Sequence, residues 1–442
     1  MDIRFRGWIA TLIFIPGIQP AVAGADGVYT QPWYDFFEQS EMTLSLKNYW
    51  ARLSEDETES RKVHNAWGQG AEVSFHSGNI AGILGADVTW TKAVKLAASD
   101  YFDTRGVLYD SRHQSNKRSA AGYQKFTQRN LRLQYKFADT DLKARVGWMP
   151  LKNFGVITAS RRLSLTSYSG WYGDISYNNY RLQGGIMKKS MSRSSPENVQ
   201  FMGNDRQTIR SLSTIDLRRF DKQLELSYAW GESRNYLSRH ILQGTLKPTD
   251  SLALNAQVYL TRALSQYRAM PAVYRDFDGQ AQHYTLEALT NSNDWQTRWS
   301  VSYTSAPKRD KVGTYPYHMS KNSRGTFNGM SKAGNDYNRD RETVLSGMVG
   351  YQLTPEINSG FIGTVARFSY QSVPVTTGEL NFFTRWNPAR KLLSNLSVST
   401  MFGPVWSYKT GSGKTPVLKE GRFQRANSFA GELVAEYKFG LY

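Results

Sequence analysis

The chain has 442 residues, no cysteine, 36 glycines and 13% aromatic side chains, and its 55 Lys plus Arg against 37 Asp plus Glu give a formal charge of +18. Without cysteine, disulfide scaffolds, thiolate metal sites and cysteine nucleophiles are excluded together. The charge attracts something anionic without saying whether that is nucleic acid, lipid or solute, and no shift in composition marks the two or three soluble domains usual at this length.

At the amino terminus Arg4 and Arg6 precede an apolar run over 8–15, and Ala21-Val22-Ala23 follows. A basic segment, a short apolar core and a small-x-small tripeptide, in that order, predict a secretory signal peptide over 1–23. The apolar core falls short of the roughly 20 residues a spanning helix needs. Residues 24–442 are then one exported domain.

The body of the chain alternates with period two. Leu131, Leu133, Tyr135 and Phe137 share one face of an extended strand, and Arg132, Gln134 and Lys136 share the other. The same alternation returns over 142–148, 180–186, 252–260, 295–303 and 429–439, and no window follows a helical period as strongly. The fold class is all-β.

Turn-forming residues mark short breaks at 77–79, 138–141, 177–179, 220–222, 248–250, 291–294, 354–356 and 387–390. Between these lie connections of uneven length near 54–65, 94–127, 150–169, 190–211, 232–237, 263–281, 306–342, 372–376 and 403–426. Short and long connections in turn imply about eighteen strands, with sixteen as the alternative count.

A soluble sandwich rarely tolerates so many structureless loops beyond about 12 to 15 residues. A transmembrane antiparallel β-barrel wants this pattern: apolar side chains outward in lipid, polar ones inward, short turns at one rim, long loops at the other, and aromatics at the interfaces. Closure also removes the strand edges that hydrocarbon does not tolerate. Leu131, Leu133, Val146, Leu182, Leu254 and Trp299 are the expected lipid-facing residues, and Tyr351, Trp386, Tyr437 and Phe439 fit girdle positions. The opposite face then carries Arg132, Lys136, Lys143, Arg145, Arg181, Arg298, Arg367 and Arg385 against Glu225, Glu432 and Glu436, eight bases to three acids. Guanidinium groups keep their charge under partial desolvation and bind carboxylates in bidentate fashion, so such a wall eases the passage of anions.

Two segments resemble a known family. Trp67-Gly68-Gln69-Gly70, followed by Ser77-Gly78, Gly82, Gly85-Ala86-Asp87 and Val94-Lys95-Leu96, is similar to the amino-terminal pattern of OprD-type outer-membrane porins, chitoporin-like relatives included. Gly147-Trp148-Met149-Pro150, leading to Ser160-Arg161-Arg162-Leu163 and on to Gly170, is similar to the segment by which that family enters its constriction loop. The resemblance implies an eighteen-stranded monomeric barrel in the outer membrane of a Gram-negative cell. It also implies an inward-folded third loop over 150–169 and a row of lumen bases guiding carboxylate-bearing solutes.

Within that loop Arg161, Arg162 and Tyr168 are the expected constriction residues. Adjacent side chains of an extended segment point opposite ways, so one arginine is expected in the lumen and the other on the wall. The 306–342 loop, with eight bases and four acids, is a candidate cap or lipopolysaccharide contact. Six histidines are scattered without a second ligand type at metal spacing, which reads as solvated or rim positions and predicts neither metal nor cofactor. Bases spread along alternate strand positions do not form a nucleic-acid patch.

The expected function is passive, substrate-selective diffusion of small hydrophilic solutes, anionic or carboxylate-bearing nutrients first, with neutral oligosaccharides or amino acids as the alternative. A barrel-borne hydrolase is the reading from another class, and it lacks an evident base beside a nucleophile. Expected partners are outer-membrane lipid, lipopolysaccharide and the solutes themselves, with a monomer favoured over a weak homo-oligomer.

Overall fold

The computed structural model describes residues 36–99, 104–110, 120–309, 311–328, 334–411 and 415–441. The expected signal peptide at 1–23 lies outside them. Among the described residues the alternating segments become eighteen long strands. The first six are β1 (Glu41–Glu55), β2 (Lys62–His76), β3 (Leu84–Ala98), β4 (Tyr123–Phe137), β5 (Thr140–Met149) and β6 (Ser167–Tyr177). Next come β7 (Tyr180–Met191), β8 (Leu212–Phe220), β9 (Leu224–Ser233), β10 (Leu237–Thr249), β11 (Leu252–Ala263) and β12 (Gln280–Ser292). The last are β13 (Trp295–Ser305), β14 (Glu342–Thr354), β15 (Ile357–Tyr370), β16 (Val373–Trp386), β17 (Leu396–Tyr408) and β18 (Arg425–Gly440).

Each strand pairs antiparallel with its neighbours in sequence, and β1 pairs with β18 from Thr43 opposite Gly440 to Ser54 opposite Phe429. That last ladder closes the sheet into a barrel and leaves no edge with unpaired backbone groups.

The two faces divide as the alternation predicts. Leu131, Leu133, Val146, Leu182, Leu254 and Trp299 are all exposed on the outer wall, Val146 at 56% and Trp299 at 54%. Arg132, between two of them, turns inward and donates to Asp87 Oδ1 at 2.5 Å. Near the rim of short turns the outer wall turns aromatic: Phe137, Tyr177 and Tyr180 are exposed, Trp295 lies 4.6 Å from Tyr351, and Tyr437 lies 4.4 Å from Phe439. Amphipathic rings suit the boundary between hydrocarbon and water.

Three tight turns at that rim, beginning at Ala138, Asn178 and Asn293, place their first residue in the left-handed region at φ 47, 49 and 51°. Asparagine accepts this conformation, whereas alanine is strained there by about 1 to 2 kcal/mol. Replacing Ala138 by Asn is therefore expected to stabilise the barrel by about 1 kcal/mol. Urea titration of the protein folded in lipid vesicles would measure this, and an unchanged midpoint would contradict it.

At the opposite rim the long loops do not simply extend into solvent. A large apolar cluster joins Leu151, Phe154, Val156 and Ile157 of the 150–166 loop to Tyr315 and Met319 of the 306–341 loop and to Tyr168, Tyr172, Ile241 and Tyr259 of the strands. The core of this protein thus lies inside the barrel mouth, where two loops fold against the inner wall.

Candidate functional site at the barrel mouth

The 150–166 loop crosses the mouth from one wall to another. On the β8 side, Val156 N donates to Thr214 Oγ1 at 3.1 Å, and Gly155, at φ 54°, sits so close that a Cβ would lie 2.1 Å from the same oxygen. Only glycine fits there. In the middle, Ile157 bridges to Gly325 and Thr158 N donates to Arg324 O at 2.9 Å, which ties the loop to its neighbour. On the far side Leu163 packs on β2, where a Cβ at Gly68 would lie 2.7 Å from Leu163 Cδ1. The glycines of the Trp67-Gly68-Gln69-Gly70 segment are the seat for this loop.

Both constriction arginines reach the wall. Arg161 pairs with Glu72 at 3.2 Å and Glu436 at 2.9 Å, and Glu436 also holds Lys47 at 3.3 Å. Arg162 pairs with Glu432 and lies 4.8 Å from the ring centre of Tyr49. The expectation of one arginine in the lumen and one on the wall is corrected: an irregular segment, bridged at Arg161 and Leu165, is free of strand alternation. Tyr168 is fully buried, its hydroxyl donating to Thr158 O at 3.0 Å and accepting from Arg324 N at 2.8 Å. It braces the two loops from behind and does not face a passage.

The 306–341 loop is pinned by a residue the alternation alone does not single out. Arg239 of β10, fully buried, donates to Thr261 Oγ1 at 2.9 Å, to Tyr317 O at 3.1 Å and to Pro316 O, and its guanidinium lies 5.0 Å from the ring centre of Tyr315. Replacing Arg239 by Ala leaves those buried carbonyls without a donor, an expected loss of about 2 to 4 kcal/mol. The 306–341 loop should then be cleaved faster in limited proteolysis, and an unchanged cleavage rate would contradict the anchoring role.

Three arginines from three elements converge beside this frame: Arg162 of the 150–166 loop, Arg193 of the 192–211 loop and Arg324 of the 306–341 loop. Burial, together with the Arg324 and Arg162 guanidiniums, pushes Arg193 below the usual arginine range, and Glu432 is the carboxylate that acts on it in the other direction. Burial and Arg162 likewise lower Arg324, whose side chain lies 3.2 Å from the imidazole of His318 and makes no ion pair among the described residues. Like charges that depress one another, with one carboxylate already engaged by Arg162, form an uncompensated positive centre.

The strand bases are placed differently from this centre. Arg132 pairs with Asp87, Lys143 with Asp141 at 2.8 Å, Arg181 with Asp174 and Arg298 with Glu287. Lys136, Arg145 and Arg385 lie on inward positions without an ion pair among the described residues, Arg145 directly opposite Arg132 in the ladder. Arg367 is a correction: it shares the outward face of β15 with Phe361 and Val365, while Ala366 and Phe368 on either side are buried. The excess of eight bases over three acids is corrected as well. Glu72, Asp87, Asp174, Asp216, Glu287 and Glu379 also stand on inward positions, mostly buried, and so do the bases Lys47, Lys125, Arg218 and Arg239, so acids and bases are close to balanced there. Several of these acids were legible, since Asp174 alternates with Trp171 and Ile175, and Glu287 with Leu286 and Ala288. Two histidines, His64 and His283, do lie near the long-loop ends of β2 and β12, but they are buried in the inner wall and are not solvated.

Near Arg324, whose neighbour Gly325 lines it, a cavity of about 380 Å³ is lined by neutral polar side chains such as Asn153, Thr158, Gln243, Gln257 and Asn328 together with the Asp216–Arg218 and Glu287–Arg298 pairs. A watery wall of amides and hydroxyls, crossed by paired charges, can hydrate a polar solute without binding it tightly.

No curated protein compared with the chain matches it. Among solved structures, the chain resembles Pseudomonas aeruginosa OccK3 (OpdO) at 15% identity and a TM-score of 0.71, covering 94% of this chain and 100% of that one. It resembles Acinetobacter baumannii OccAB1 at 13% identity and a TM-score of 0.73, covering 92% and 98%, and A. baumannii OccAB4 at 18% identity and a TM-score of 0.68, covering 91% and 98%. At these identities the likeness is one of fold. The model of the OprD family of outer membrane porins matches residues 34–354. A closed barrel with an apolar outer wall, a loop crossing its mouth and a family match over most of its length place this chain in the OprD family of outer-membrane porins.

Proposed function

We propose that the protein is a passive, substrate-selective channel of the outer membrane that favours small carboxylate-bearing solutes, and that selection takes place at the mouth and not along the strand wall. The observation carrying this reading is that Arg162, Arg193 and Arg324 lie near enough to act on one another's charge, while among the described residues only Arg162 has an ion pair, with Glu432. A solute carboxylate entering there relieves repulsion among guanidiniums and gains charge-assisted hydrogen bonds. The paired strand bases contribute less, because each is already neutralised by its neighbour.

The neutral amide-lined cavity favours a second reading, in which sugars or zwitterionic amino acids pass. Swelling of proteoliposomes in matched solutes separates the two. Mono- and dicarboxylates should enter faster than an uncharged sugar of similar size. A sugar that enters as fast or faster overturns the carboxylate reading in favour of the neutral one.

A further inference from the structure

On the lipid-facing side of the barrel, near the rim of long loops, a groove of about 360 Å³ is lined by Lys188, Lys189, Arg210 and Arg234 with Ile186, Gln200 and Ser211. Among the described residues no acidic side chain lines it. The backbone produces the two adjacent lysines. Pairing between β6 and β7 slips after Ser169, so that Ser169 faces Lys189 and Gly170 faces Met187, with Lys188 as the extra residue of a bulge. Regular alternation would expose one lysine and bury the other. Here Lys188 and Lys189 are both exposed while Met187 and Ser190 on either side are buried.

Arg210 stands two residues before β8 and Arg234 follows β9 directly, so all four bases share one height at the top of the wall. None of them forms an ion pair among the described residues. Glu232, two residues before Arg234 on the same outward face, accepts from Asn235 N at 3.3 Å. Immediately below lie Ile186, Ile215 and Trp171, the latter two exposed on the outer wall.

We propose that this groove binds the phosphorylated headgroup of a lipid in the outer leaflet. Four unpaired bases at the upper edge of an apolar wall match a molecule whose phosphates sit at the surface and whose acyl chains run down the hydrocarbon side. Each Lys or Arg near an anionic lipid surface contributes an attraction of about 1 kcal/mol. A second copy of the chain would not fit as a symmetric partner, because it would set this patch against its own like charges.

The test uses the full chain folded in detergent micelles and titrated with bis-phosphorylated lipid A, with the same lipid lacking its phosphates, and with inorganic phosphate as competitor. Bound lipid is counted by native mass spectrometry. The unaltered protein should retain the phosphorylated lipid in preference to the dephosphorylated one. Replacing Lys188, Lys189, Arg210 and Arg234 by Gln should weaken that retention by about tenfold or more. Replacing four bases of the opposite rim, Lys222, Lys247, Arg390 and Lys391, by Gln controls for charge and for folding and should change little.

Equal retention by the groove variant, equal loss in the control variant, or no preference for the phosphorylated lipid would each overturn the site. Displacement of the lipid by millimolar inorganic phosphate would overturn the lipid assignment and make it a soluble-anion site.

Discussion

Arginine in place of Leu286 is expected to destabilise the folded barrel by about 2 to 4 kcal/mol, the cost of a charge on the lipid face near the bilayer midplane. Leu286 is the seventh of thirteen residues of β12 and is 60% exposed on the outer wall, with Ala256 and Val301 as its partners in the adjacent ladders. A guanidinium there would lie in hydrocarbon, and its ladder partners Ala256 and Val301 offer no carboxylate. Gln257, near the middle of β11, points inward and lies beside Tyr259 and Gln243 in the hydrated cavity. Arginine at Gln257 should cost well under about 1 kcal/mol, because water reaches it and backbone pairing is untouched. Urea titration of both variants folded into lipid vesicles gives the comparison. Equal losses in the two would mean that the inner and outer faces are wrongly assigned.

The second large effect concerns the mouth. Replacing Arg162, Arg193 and Arg324 together by Gln is expected to lower the ratio of anion to cation permeability by about tenfold. At an effective dielectric near 20, a guanidinium about 4 Å from a carboxylate is worth roughly 4 kcal/mol before desolvation. A surviving difference of about 1.4 kcal/mol is already tenfold. Without Arg162, moreover, Glu432 loses its partner and attracts cations.

Removing the inward strand bases that lack an ion pair, Lys136, Arg145 and Arg385, should shift the ratio less, and Glu432→Gln should shift it toward anions. All of these effects should shrink at 1 M salt, where the Debye length falls to about 3 Å. Reversal potentials across a planar bilayer under a salt gradient report the ratio directly. An unchanged reversal potential in the triple variant would make the arginine centre a structural clamp between loops and would remove it from selection.

Much of this architecture is legible without coordinates, for a physical reason. In a membrane barrel each strand is exposed to lipid on one side and to a polar interior on the other, so the chemistry of the environment is written into every second residue. The alternation of Leu131 to Phe137 and of 252–260, with Asn and Asp in the tight turns, determines strands, faces, turns and the order of short and long connections by itself. The acids Asp174 and Glu287 stood in the same alternation, and their pairing with Arg181 and Arg298 required knowing which strands adjoin.

The loops obey no such period. Where a segment is irregular, neither the direction of a side chain nor its partner follows from spacing. Arg161 and Arg162 therefore both meet acids of β2 and β18 hundreds of residues away or nearly a hundred residues earlier, against the expectation from extended geometry. Arg193 and Arg324 come together with Arg162 through the folding of three loops into one mouth, and Tyr168 and Arg239 acquire their bracing roles from the same packing. The bulge that exposes Lys188 beside Lys189 is a register slip between two paired strands. The barrel and its two faces thus belong to local periodicity, which one chain segment carries alone, whereas the charge at the mouth and the basic groove on the wall belong to tertiary contacts, which decide which charges remain unpaired.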